Sequence, residues 1–153
     1  MRRKARDPMT RVTVIDPDQD LLDLYRDLLQ TFGYDVETHA DALPGMDQLL
    51  ASAPDLVIVD VELDPHREQL TGLQVVHSAR SGTALRDVPI ILCTTATERI
   101  AAALPEVMER GDIQRLEKPF DLDTFERVVQ SALGLDHGVA NGTGGSILAE
   151  QGP

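Results

Sequence analysis

The chain has 153 residues, room for one domain with a sizeable core but not for two. Apolar residues at 42% against 26% charged exclude an intrinsically disordered chain. A net charge of −12, with a pI near 4.6, argues against a surface that grips a nucleic-acid backbone.

Arg2, Arg3, Lys4 and Arg6 against Asp7 make the first ten residues net +3 and leave −15 for the rest. Residues 1–10 are expected to form a disordered leader, with Met9 as an alternative start. Val12-Thr13-Val14-Ile15 is a β-branched run that stops at Asp16-Pro17-Asp18, a first strand. Leu21, Leu22, Leu24, Tyr25, Leu28, Leu29 and Phe32 then recur at helical spacing, and Gly33 closes that helix. Tyr34 to Thr38 alternates polar and apolar, as a strand at the edge of a sheet does. Leu43, Met46, Leu49 and Leu50 predict a short helix.

Leu56-Val57-Ile58-Val59-Asp60 is an apolar run ending in a carboxylate, a strand buried on both faces. Asp64 to Gln69 is polar and predicts a loop, and Leu73, Val75, Val76 and Ala79 predict the next helix. Val88 to Cys93 is the fourth strand, followed by Thr94-Thr95. Cys93 is the one cysteine, so no internal disulfide forms, and its apolar neighbours predict a buried small side chain. A helix from Glu98 to Arg110 stops at Gly111, and Ile113 to Glu117 is a fifth strand ending at Lys118-Pro119. Asp121 caps a last helix with Leu122, Phe125, Val128, Val129 and Leu133 on one face. Six of the eleven glycines lie from Gly134 onward, so residues 134–153 are expected to be a flexible tail without an effector domain. No apolar run suits a membrane span or a signal peptide, and the cytoplasm is the expected compartment.

Strand and helix alternate five times. The expected fold is α/β, a five-stranded parallel sheet with five helices, doubly wound and flavodoxin-like, over residues 11–133. Right-handed crossovers put every parallel strand's carboxyl end on one side of the sheet. Asp16, Asp60, Thr94 and Lys118 therefore converge on one edge. Each alone has a plain alternative, since acids and threonines often end strands. Together they suit phosphoryl transfer: a carboxylate nucleophile, a lysine and a hydroxyl for phosphoryl oxygens, and acids for a divalent cation. The four histidines show no ligand spacing, and neither a glycine-rich phosphate loop nor a Ser-His-Asp order occurs.

These residues resemble the receiver domain of two-component response regulators, from about Arg11 to Leu133. The marks are Val14-Ile15-Asp16, Asp55 to Asp60, Gly72, Pro89 to Thr94, Gly111 and Lys118-Pro119-Phe120. The resemblance implies that Asp60 is the phosphoacceptor, Thr94 the switch hydroxyl and Lys118 the invariant lysine, with a cis Lys118–Pro119 bond. It implies Mg²⁺, a histidine kinase or phosphotransfer protein as donor, and an unidentified downstream protein as target, and it allows a homodimer. No nucleic acid or membrane partner is expected. Nor is turnover of an external substrate, beyond self-phosphorylation from small donors and autodephosphorylation.

The chain departs from the family pattern in three places. Pro17 stands where a second adjacent acid binds the metal, which leaves Asp16, Asp60 and Glu62 as the expected metal set. Glu62, at a position that ordinarily offers only its carbonyl, would partly replace the lost ligand; the alternative is that its side chain points to solvent. Arg115 replaces the Tyr or Phe three residues before the lysine, and the stretch 64–69 lengthens the loop beside the site. These departures keep open an alternative, a phosphorylation-independent receiver acting as an interaction module. Asp16-Pro17-Asp18 also resembles the first motif of haloacid dehalogenases, but Asp60 preceding Thr94 and the lack of a cap domain argue against an aspartate-nucleophile hydrolase.

Overall fold

Alternate residues of the inner strands serve two different cores, and that sets the architecture. A computed structural model describes residues 9–40, 49, 51, 53–62, 71–82, 84–95 and 97–135. Its strands are β1 (Arg11–Ile15), β2 (Asp35–His39), β3 (Leu56–Asp60), β4 (Ile90–Thr94) and β5 (Ile113–Glu117). They form one parallel sheet in the order β2-β1-β3-β4-β5. Helices α1 (Gln19–Thr31), α2 (Thr71–Ser81), α3 (Glu98–Met108) and α4 (Leu122–Ala132) accompany it. This is the doubly wound, flavodoxin-like arrangement expected. Of the fifth expected helix, Leu49 and Ala51 are described and helical, and the remainder lies outside the described residues. So do the leader through residue 8, the 64–69 loop and the tail from residue 136.

In β3, Leu56 and Ile58 face one core with Val12, Val14, Ile91 and Cys93, covered by α1 and α4 through Leu22, Tyr25, Leu29, Phe125 and Val129. Val57 and Val59 face the other, with Ile15, Ile90 and Leu92 under Val75, Val76, Ile100 and Leu104 of α2 and α3. The period of two along a strand is what splits them. Burying each such side chain contributes about 2 kcal/mol. A half-exposed pair such as Arg11–Asp35 at 2.8 Å contributes under ~1 kcal/mol, so the apolar pattern decides the fold. β2 and β5 are edge strands and are less buried than the inner three, with only Val36 of β2 and Ile113 and Leu116 of β5 buried.

Caps and turns follow the local chemistry. Asp121 accepts from the Thr124 amide at 2.7 Å and starts α4. Gly33 and Gly111, at φ of +96° and +110°, leave α1 and α3 in the left-handed conformation that glycine adopts without strain. Helix α3 ends at Met108 rather than at Arg110, its last turn closed by Glu109 and Arg110 amides on the Glu106 and Val107 carbonyls. Arg80, at the end of α2, was not singled out by sequence. Its guanidinium donates to the carbonyls of Leu85, Val88, Arg110 and Asp112 at 2.7–2.9 Å. One side chain thus pins two connections that carry no regular backbone pairing.

Candidate functional site

Backbone pairing continues one step beyond the strands and aligns their carboxyl ends. The Asp16 amide donates to the His39 carbonyl at 3.1 Å, Val61 to Cys93 at 2.9 Å, and Lys118 to Thr94 at 2.8 Å. The first residue past β1, the last of β3 and the first past β5 therefore meet across the sheet. Lys118 Nζ donates to Asp60 Oδ2 at 2.6 Å and to Asp16 Oδ2 at 3.0 Å. Asp60 Oδ1 accepts from the Glu62 amide at 2.9 Å, and Asp16 Oδ1 from the Asp18 amide at 2.9 Å. The Lys118–Pro119 peptide is cis.

The electrostatics follow from burial. The side chains of Asp16, Asp60 and Lys118 are 2%, 13% and 19% exposed. Burial holds the Asp16 carboxyl above its usual range, against the opposing pull of the Asp18 amide and of Lys118. Burial is also the largest single influence on Lys118, and it opposes the ammonium. Asp60 and Asp16 together outweigh it and hold the lysine above its ordinary value. Two buried carboxylates share one ammonium, which leaves one negative charge uncompensated. That imbalance, on oxygen donors, suits a hard divalent cation.

The four expected edge residues are not equally engaged. Asp16, Asp60 and Lys118 form one ion-paired group. Thr94 is buried at the same edge, but its hydroxyl donates to the Thr95 carbonyl at 2.9 Å. The Glu62 carboxylate pairs with Arg99 at 2.6 Å, a contact sequence reading missed. Asp18 is the N-cap of α1, its carboxylate accepting from the Leu21 amide at 3.2 Å, so it is committed to the helix. Arg115 is exposed on β5 and lines a cavity of about 310 Å³ with Thr94, Thr97, Ile100, Ala101 and Leu104. Gly72, noted in the sequence only as a family mark, packs its α-carbon against the end of β3. A Cβ there would lie 1.9 Å from the Asp60 carbonyl oxygen.

Behind the edge, Cys93 is fully buried and its Sγ accepts from the Tyr25 hydroxyl at 3.3 Å. Burial pushes the thiol up from 9.0 to about 12, and pushes the Tyr25 hydroxyl upward as well. A folded-state pKa above the unfolded one contributes stability that is complete below pH 9 and lost as pH rises toward 12. Three units correspond to about 4 kcal/mol. The urea midpoint should be level from pH 7 to 9 and fall above it, more steeply than in Cys93→Ala. The native thiol should resist a disulfide reagent at pH 8; rapid modification without unfolding would contradict its burial.

The sequence profile of the response regulator receiver domain matches residues 12–130. The polar-differentiation response regulator DivK of Brucella ovis is 26% identical over 127 residues, 82% of this chain and 98% of DivK. The DNA-binding dual master transcriptional regulator RpaA of Synechocystis is 27% identical over 145 residues, 95% of this chain but 58% of RpaA. The chain thus spans little more than half of that relative's length. Among solved structures, the Vibrio cholerae chemotaxis protein CheY4 is 26% identical with a TM-score of 0.70, covering 82% of this chain and 99% of CheY4. No described helix is long and apolar enough to cross a membrane. With its strand order, its edge of Asp16, Asp60 and Lys118 and this match over most of its length, the chain belongs to the response regulator receiver domain family.

Proposed function

We propose that this chain accepts a phosphoryl group on Asp60 from a histidine kinase or phosphotransfer protein and signals by contact with another protein. The observation that carries the reading is Lys118 Nζ bridging Asp60 and Asp16 at the carboxyl edge of the sheet. An Asp60 carboxylate oxygen forms a bond to phosphorus while the bond from phosphorus to the donor nitrogen breaks. The electron pair leaves with the donor imidazole, and Asp60 becomes an acyl phosphate. Lys118 places a fixed positive charge beside the phosphoryl oxygens, and the Glu62 amide orients the carboxylate.

Receiver domains generally bind Mg²⁺ in this site. Here the Asp16 and Asp60 carboxylates would hold it, and their uncompensated charge fits such an ion. When bound, it supplies positive charge to phosphoryl oxygens. Pro17 contributes no side-chain oxygen, and Asp18 is committed to its cap. With phosphate on Asp60, Thr94 gives up the Thr95 carbonyl for a phosphoryl oxygen, moving the segment that leads into α3. Beyond its own phosphorylation and dephosphorylation the chain turns over no substrate.

The commitment of Asp18 to its cap favours a second reading, a receiver that docks its partner without phosphorylation. A fluoride–beryllium phosphoryl mimic with Mg²⁺ separates the two. Amide shifts at Thr94 and along α3, absent in Asp60→Asn, are expected. Unchanged spectra at saturating mimic would favour the second reading.

A further inference from the structure

Arg99 is the second residue of α3, where the helix dipole disfavours a cation. It is nonetheless placed there, and its Nη2 meets Glu62 Oε2 at 2.6 Å, joining residues 37 apart in sequence. The same Glu62 donates its amide to Asp60 Oδ1. Glu62 therefore touches the phosphoacceptor with its main chain and the start of α3 with its side chain. A glutamate at that point can present its carboxylate either to Arg99 or to a cation seated between Asp60 and Asp16. Among the described residues no three acidic, histidine or cysteine side chains stand close enough to hold a metal ion, so the Glu62 carboxylate, in its contact with Arg99, is away from Asp16 and Asp60.

We propose that Arg99 is a positioning residue that latches the Glu62 carboxylate away from the cation position, so that Glu62 becomes a metal ligand only when the latch opens. The inference rests on the reading that this edge takes Mg²⁺. It gives the acid missing at Pro17 a conditional substitute rather than a permanent one. Cation binding and the first turn of α3 then compete for one carboxylate, and any partner that pulls Arg99 away tightens the metal site. Both side chains are partly exposed, 45% for Arg99 and 33% for Glu62, so either can be replaced without opening the core.

The test is Mg²⁺ titration calorimetry on four proteins: wild type, Glu62→Gln, Arg99→Ala and the double variant, each with its melting temperature recorded. Removing Arg99 alone will tighten Mg²⁺ simply by deleting a positive charge, so the comparison that decides is the effect of Glu62→Gln in the two backgrounds. With Arg99 present, Glu62→Gln should change the dissociation constant by less than about 2-fold. With Arg99→Ala, the same change should weaken Mg²⁺ about 10-fold. Arg99→Gln, which keeps length but not charge, should reproduce Arg99→Ala. Mg²⁺ binding with equal effects of Glu62→Gln in both backgrounds overturns the latch alone. No Mg²⁺ binding by any of the four overturns the metal reading beneath it, and the latch with it.

Discussion

Gly72→Ala should destabilise the protein by about 3 kcal/mol and lower its melting temperature by about 10 °C. The direction is diagnostic, because Gly72 lies in helix α2, where alanine is ordinarily better than glycine by about 1 kcal/mol. Here the added methyl would lie 1.9 Å from the Asp60 carbonyl oxygen and 2.8 Å from the Asp60 carbonyl carbon and the Val61 α-carbon. All three are backbone atoms of the strand end that carries the phosphoacceptor, so no side chain can swing aside. The Gly72 amide also donates to the Val61 carbonyl at 2.9 Å, which ties the helix start to that strand end. Relief of the clash must either lift α2 or displace Asp60, so phosphoacceptance should fall with stability. Urea unfolding measures the first. A Gly72→Ala protein as stable as wild type would mean that α2 does not approach β3 this closely.

Lys118→Met should cost about 3 kcal/mol at pH 7, because it leaves Asp16 and Asp60 buried together without their shared cation. The cost should shrink on acidification to pH 5. Burial already holds the Asp16 carboxyl above its usual range, with Lys118 opposing that rise. Without Lys118 the folded-state value climbs further. A raised folded-state value means that the folded protein takes up a proton the unfolded chain does not, so stability is recovered as pH falls through it. Urea midpoints of wild type and variant at pH 7 and pH 5 give the comparison. An equal difference at both pH values would contradict the shared-cation account.

Much of this site was legible in sequence because it depends on strand order and strand ends. Four apolar runs each stopping at a polar group, with helices between them, suffice to bring Asp16, Asp60 and Lys118 to one edge. The weak alternation of Tyr34 to Thr38 was enough to place β2 at the sheet margin, and Asp121 declared its helix start. What sequence could not supply were contacts set by tertiary placement. Arg80 lies in a polar stretch of helix, and nothing local says that four carbonyls from two connections converge on it. Glu62 follows β3 and Arg99 stands in the first turn of α3, and only the closeness of β3 and β4 brings them together. Asp18, next to Pro17 in sequence, has its carboxylate taken up as the cap of α1. The Thr94 hydroxyl lies at the expected edge but bonds to the carbonyl of the next residue, Thr95. Position along a strand is legible, whereas the choice among nearby hydrogen-bond partners is not.

Acetyl phosphate with Mg²⁺, followed by intact mass, tests the central claim most directly. A gain of one phosphoryl group in the wild type, absent in Asp60→Asn, is the predicted result. No gain at high Mg²⁺, or a gain that survives Asp60→Asn, would contradict the assignment of Asp60 as phosphoacceptor.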